Sequence, residues 1–216
     1  MLDSAHQESS ALFSDIAEDI SNKGFSIQPA AVPAGLAHRL RQHVKVMDDQ
    51  RFGAAGIGRD LTNNHNEAIR CDQICWIDGE SEVGREWLQW AAIMQRQLNR
   101  ELYLGLFSFE SHFAHYRVGD FYKRHLDAFK GQANRVLSLV VYLNESWQPQ
   151  DGGELVLYAD ERDMTGTVVI PNFGTLVVFL SEQFPHEVRV AHHDRYSIAG
   201  WFRINSSDTG RVDPPS

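Results

Sequence analysis

The sequence predicts an α+β protein in which helices pack on one face of an antiparallel β-sandwich or barrel. Three observations carry that expectation. Apolar residues recur every three or four positions through the first part of the chain, the spacing switches to two from Glu110 onward, and Gly, Asp, Asn and Pro then divide the chain into short runs. Composition agrees: of 216 residues 43% are hydrophobic and 23% charged, which excludes a disordered or fibrous chain. At roughly 150 residues per domain, the length suits a single domain over 1–205. The tail from Ser206, SSDTGRVDPPS, lacks core-forming residues and is expected to be disordered.

Each element follows from its local pattern. Ser9 or Ser10 is suited to cap a first helix that runs through Leu12, Phe13, Ile16 and Ile20 and stops at Asn22-Lys23-Gly24. A second helix starts at Pro33, with Leu36, Leu40, Val44 and Met47 in one stripe. Over 48–68 the periodicity fails and Gly53, Gly56 and Gly58 appear; so long an unpatterned segment reads as a functional loop. A strand over 69–77 and a helix over 81–100 follow, the latter with Val83, Trp87, Ala91, Met94 and Leu98 on one side, a core stripe. The runs ESHFAHYR, FYKRHLDAF, RVLSLVVYLN, GELVLY, GTVVI, GTLVVFL, HEVRV and RYSIAGWFRI then read as strands, and the three helices would cover one outer face of the sheet they form.

Charge and hydropathy narrow the function classes. Twenty Lys+Arg against 29 Asp+Glu give a net charge of -9, so no nucleic-acid partner is expected. No apolar run is long enough for a bilayer, and MLDSAHQESS has neither the basic flank nor the apolar stretch of a secretory signal; the expectation is a cytoplasmic protein without a membrane partner. Cys71 and Cys75 would lie ~13 Å apart along a strand, too far for a disulfide. They are expected to be reduced, partly buried thiols.

The chemistry is concentrated in a few polar residues of the strand-rich part. In a strand, His125 and Asp127 would point to the same face and could converge on one ion, with Leu126 directed into packing. His186, opening a later strand, is a third candidate ligand. Two histidines and one carboxylate leave half of an octahedral shell open, which suits iron(II) with a co-substrate and oxygen better than a closed zinc site. Period two puts Arg195, Ser197, Ala199 and Trp201 on one face of the last strand, and a guanidinium aimed into a barrel requires an anion such as a dicarboxylate. The alternative is a surface arginine paired with Asp194 or Glu187. His112, His115, His192 and His193 fit solvated strand edges or loops and receive no role.

The ordered set His125-x-Asp127, His186 and Arg195 resembles the iron(II)/2-oxoglutarate-dependent dioxygenases. The words IRCDQICWIDG (69–79), YKRHLD (122–127), VVYLNESW (140–147), DGGEL (151–155), PHEV (185–188) and RYSIAGWF (195–202) resemble one branch, the prolyl hydroxylases of the Egl-nine type and their bacterial relatives. The likeness extends over about residues 25–204. It implies a double-stranded β-helix (jelly-roll) core, with iron held by His125, Asp127 and His186. It also implies that Arg195 and the Tyr142 hydroxyl hold the distal carboxylate of 2-oxoglutarate, and that Tyr122, Leu155, Val188, Trp201 and Tyr116 line the pocket. Tyr116 stands one residue nearer the first histidine than in the animal enzymes.

By the same resemblance, oxygen and 2-oxoglutarate are co-substrates, ascorbate is a candidate accessory reductant, and the activity is that of a peptidyl-prolyl 4-hydroxylase on a protein or peptide, releasing succinate and carbon dioxide. The loop 48–68 takes the place of the segment that contacts substrate in the family. The same chemistry on a free amino acid or another side chain is the alternative, and a non-enzymatic binding module of the same barrel class is a second one, disfavoured by the complete ligand set.

Overall fold

The computed structural model describes residues 2–47, 51–54, 69–128 and 134–205, so most of the loop 48–68 and the whole tail from Ser206 lie outside the described residues. The first helix, α1 (Leu2–Lys23), begins ahead of Ser9 and Ser10. Leu2, Ala5, Gln7 and Glu8 favour helix and no Gly or Pro interrupts them, so the two serines sit inside the helix instead of capping it. Its stop is where the sequence puts it. Gly24 takes φ +82, and a Cβ there would also lie 2.8 Å from the Phe184 ring, so the position demands glycine twice over.

The chain then enters β1 (Phe25–Gln28), a strand that the sequence reading missed because four residues show too little alternation to stand out. α2 (Ala34–Val46) follows Pro33 and buries Leu36, Ala37, Leu40 and Val44. α3 (Glu82–Leu102) is capped by Ser81, whose Oγ accepts from the Gly84 amide at 3.0 Å.

Two antiparallel sheets form the core. Along the chain come β2 (Gly53–Ala54), β3 (Gln73–Trp76), β4 (Ser108–Tyr116), β5 (Tyr122–His125), β6 (Arg135–Tyr142), β7 (Leu155–Leu157), β8 (Thr167–Val169), β9 (Leu176–Leu180), β10 (His186–Val188) and β11 (Arg195–Arg203). The major sheet has the order β1-β9-β6-β11-β4-β3-β2 and the minor sheet β5-β10-β7-β8. The outward face of the major sheet takes the helices: Phe13, Leu40, Trp87 and Leu98 join Leu139, Val178, Ile198 and Phe202 in one buried apolar cluster. A second cluster, including Tyr142, Leu155, Leu157, Phe179 and Val188, fills the space between the sheets. This is the jelly-roll arrangement, with helices on one face only.

The expected strand 69–77 is two pieces. Arg70 bridges to Tyr122 and the Lys123 amide donates to the Ile69 carbonyl, tying the first piece to the minor sheet, whereas Gln73–Trp76 pairs with β4 in the major sheet. Asp72 sits at the crossing, 1% exposed, its carboxylate accepting from both Nε and Nη2 of Arg70. A buried ion pair at that corner interrupts the alternation that the apolar residues suggest. Cys71 and Cys75 are reduced thiols, both partly buried.

Candidate active site

The three candidate ligands converge at one end of the minor sheet. His125 closes β5 and His186 opens β10, and the two are direct cross-strand partners. Asp127 reaches them by a different route from the one the sequence suggested: β5 ends at His125, and Asp127 lies in the bend beyond it. Strand alternation therefore does not align His125 with Asp127; the turn of the chain does. The ligand atoms of all three lie within 4.8 Å of one another, with each histidine Nε2 3.6 Å from an Asp127 oxygen.

Hydrogen bonds orient each ligand. His125 Nδ1 lies 2.8 Å from the Lys123 carbonyl and His186 Nδ1 3.0 Å from the Phe184 carbonyl; carbonyls only accept, so both Nδ1 atoms carry a proton and both Nε2 atoms face the centre. Asp127 Oδ2 accepts from Ser138 Oγ at 2.6 Å, and Ser138 is 2.9 Å from Ser181 Oγ. Burial lowers the His186 pKa to about 4, helped by the neighbouring His125. Burial alone would raise the Asp127 carboxyl, but His186, His125 and Ser138 outweigh it and hold the group well below the usual range. A neutral His186 beside an ionised Asp127 is the protonation that a divalent cation requires. The donor set and its spacing fit iron(II), with three positions left for other ligands.

Beside this centre stands a candidate anion site. Arg195 is 1% exposed, which removes the surface alternative; Asp194 pairs with His115 instead. Its Nε donates to the Gly153 carbonyl at 2.8 Å and Nη1 to Ser197 Oγ at 3.2 Å, and no described carboxylate forms an ion pair with it. Gly153, at φ +65, makes this contact possible, because a Cβ there would lie 2.9 Å from Arg195 Cδ.

The guanidinium carbon is 4.8 Å from the Tyr116 ring centroid and 5.1 Å from that of Tyr142. Burial pushes the Tyr142 hydroxyl up to about 12 even in the field of Arg195, and its buried oxygen makes no hydrogen bond of acceptable geometry. A buried guanidinium without a counter-ion next to an orphaned hydroxyl fits a ligand carboxylate.

The remaining expected residues fall around the same space. Leu155 and Val188 pack in the inter-sheet cluster with Tyr116 and Tyr142. Tyr122 stacks on His125 at 3.6 Å and 15°, with the Arg70 guanidinium carbon 4.6 Å from the Tyr122 ring centroid. Trp201 is buried opposite Ser138 across the β11–β6 ladder, its indole nitrogen unpaired, with Arg135 3.7 Å over its ring.

Two histidines assigned no role prove to be buried and not solvated. His112 is 1% exposed beside Trp201 and Trp76, and burial, followed by Arg70, lowers its pKa to about 4. His115 stacks on Tyr196 at 4.4 Å. Both lie on β4, flanked by strands on each side, so the short HxxH spacing that suggested an edge belongs to a central strand.

Sequence reasoning also passed over Ser138, Asp72 and Arg135. Ser138 had a signal: it interrupts the apolar run RVLSLVVY at the position that shares a face with Tyr142.

Comparison with known proteins agrees with this geometry. Residues 111–203 match the 2OG-Fe(II) oxygenase superfamily. The fold is similar to the crystal structure of a Pseudomonas putida prolyl-4-hydroxylase, with TM-score 0.80 and 38% identity over 90% of this chain and 100% of that one. It is also similar to a Trichoplax adhaerens prolyl hydroxylase in complex with a peptide fragment of the hypoxia inducible factor oxygen degradation domain, with TM-score 0.80 and 25% identity over 92% of each chain. Mouse Egl nine homolog 1 is 27% identical over 155 residues, 65% of this chain but 36% of the mouse protein, so the chain spans well under half the length of that curated relative. Among the described residues no helix is long and apolar enough to cross a membrane. With its candidate ligand triad, its buried arginine and a structural likeness over 90% of its length in agreement, the chain belongs to the 2OG-Fe(II) oxygenase superfamily.

Proposed function

We propose that this chain is a prolyl 4-hydroxylase acting on a protein or peptide, using iron(II), 2-oxoglutarate and oxygen and releasing succinate and carbon dioxide. The observation that carries the reading is the pairing of two incomplete sites: three candidate ligands, fewer than an octahedral ion takes, and a buried Arg195 with no counter-ion among the described residues, beside the orphaned Tyr142 hydroxyl. The likeness to the prolyl-4-hydroxylase of Pseudomonas putida and the prolyl hydroxylase of Trichoplax adhaerens supports proline as the target.

His125, Asp127 and His186 would hold the iron, which when bound supplies the oxygen-activating chemistry. The chain's own residues do the rest. Arg195 and Tyr142 bind and orient the distal carboxylate of 2-oxoglutarate, while Leu155 and Val188 exclude water from its methylene groups. Tyr116, Tyr122 and Trp201 supply aromatic walls of a size for a compact ring. Ser138 keeps a proton on its own Oγ and directs it to Asp127, so that the opposite carboxylate oxygen stays available to the metal. The loop 48–68 is proposed to contact the substrate, and ascorbate to serve as an accessory reductant.

Incubating the protein with iron(II), 2-oxoglutarate and a library of proline-containing peptides, with succinate and peptide mass as readouts, tests this. The expected result is succinate coupled to addition of one oxygen to a proline. Succinate coupled instead to oxidation of a free amino acid or another side chain would replace the prolyl reading while leaving the oxygenase intact.

A further inference from the structure

The outward face of the minor sheet carries a connected group of side chains that lies directly behind the ligand histidines. Arg124, on β5, sits with its guanidinium carbon 3.8 Å from the Tyr158 ring centroid. Its Nη1 donates to the Asp163 carbonyl at 2.9 Å and its Nη2 to the Asp160 carbonyl. The Tyr158 hydroxyl in turn donates to Glu187 Oε1 at 2.8 Å, and the Tyr158 amide to the Pro185 carbonyl at 2.8 Å. Each end of this chain of contacts is one residue from a ligand. Arg124 precedes His125, Glu187 follows His186, and alternation turns their side chains outward where the histidines turn inward.

The strand that bears His125 needs such support. β5 has four residues and stands at the end of the minor sheet, and its register with β10 is broken between His186 and Val188. The acceptors for Arg124 are, by contrast, held in place. In the loop between β7 and β8 the Asp163 carboxylate accepts from the amides of Ala159, Thr165 and Gly166 at 3.0, 2.9 and 3.1 Å and from Thr165 Oγ1 at 2.9 Å. Gly166 lies so close over β7 that a Cβ would be 2.5 Å from Val156 Cγ1. A fixed loop thus grips a short strand through one guanidinium.

We propose that Arg124, Tyr158 and Glu187 form an outer clasp that sets the separation of His125 and His186, which makes Arg124 a positioning residue for the metal. The inference rests on the metal-centre reading above. A metal site tolerates little error in ligand spacing, and residues that orient ligands from behind typically govern roughly 10–100-fold in affinity.

Cobalt(II) binding without co-substrate tests it, read as affinity and as the visible absorption bands that report coordination geometry, on wild type, Arg124→Gln, Arg124→Lys and Tyr158→Phe. Arg124→Gln should weaken binding about tenfold or more and alter the bands, with partial recovery in Arg124→Lys, which keeps a donor but not the planar fork. Tyr158→Phe, which retains the ring and loses only the bond to Glu187, should cost less, about threefold. A lowered unfolding midpoint with wild-type affinity and bands would reduce the clasp to a stability device and overturn the proposal. Should Arg124→Gln fail to fold, unchanged affinity in Tyr158→Phe overturns it equally. A wild-type protein that binds no cobalt refutes the metal centre itself, a result distinct from variants that bind as wild type does.

Discussion

On the outward side of β11, Ile198 and Phe202 sit among Trp87, Leu98 and other apolar side chains of the helices, whereas Arg195, Ser197 and Trp201 on the inward side of the same strand meet polar groups and an unfilled hydrogen-bonding capacity. One strand thus serves two purposes. Its outward face buries apolar area, the dominant favourable contribution to folding, at roughly 25 cal/mol per Å². Its inward face buries a guanidinium that has hydrogen bonds to Gly153 and Ser197 but no counter-ion among the described residues, so Arg195 is better explained by a ligand than by stability. The difference teaches that burial alone does not identify core: Arg195 and Trp87 are almost equally buried, and only their partners separate them.

Four substitutions can break or sharpen this contrast. Arg195→Ala should weaken 2-oxoglutarate binding by at least about two orders of magnitude, since breaking a buried charge pair costs roughly 3–5 kcal/mol, while metal affinity changes far less. Anaerobic titration of the iron(II) protein, followed by absorption, measures both; equal 2-oxoglutarate affinity in the two proteins would falsify the assignment. Trp87→Ala should do the reverse. It removes a fully buried ring that stacks on Trp90 at 5.4 Å and donates to Ser111, and should lower unfolding free energy in urea by about 3–5 kcal/mol. Co-substrate affinity of the folded fraction should stay as in wild type, and a co-substrate defect here would erase the division between the two faces.

Smaller changes probe the inward face alone. Tyr142→Phe should weaken 2-oxoglutarate binding by roughly 1.5–3 kcal/mol, the worth of a hydrogen bond to a charged group. The ligand-free protein should be as stable as wild type or slightly more so, because an unpaired buried hydroxyl is lost; clear destabilisation would show that the hydroxyl has a partner within the chain. Ser138→Ala removes the donor to Asp127 and should cost about tenfold in iron affinity, near the lower end for residues that orient ligands. Isothermal titration with cobalt(II) reads it, and an unchanged value would leave Asp127 oriented by the histidines alone.

The local elements were legible because they depend on neighbours in sequence. The stripe Leu36, Leu40, Val44 requires only helical geometry, and the stop at Gly24 only a residue that tolerates positive φ. The sequence by itself thus determined three helices ahead of a strand-rich part, and its motifs pointed to His125, Asp127, His186 and Arg195. Tertiary structure alone decided how those residues meet. Strand alternation predicted that His125 and Asp127 share a face, yet the strand ends at His125 and a bend brings the carboxylate back toward Ser138.

The same reason explains the misplaced pieces. The segment 69–77 divides between two sheets because Asp72 and Arg70 are buried together at the corner, a pairing visible only once both sheets are in place. His112 resembles a solvent-facing strand residue until β3 and β11 flank it. Hydrophobic periodicity records which side of an element is buried; whether a buried polar group is satisfied depends on atoms supplied by distant segments, and that information exists only in three dimensions.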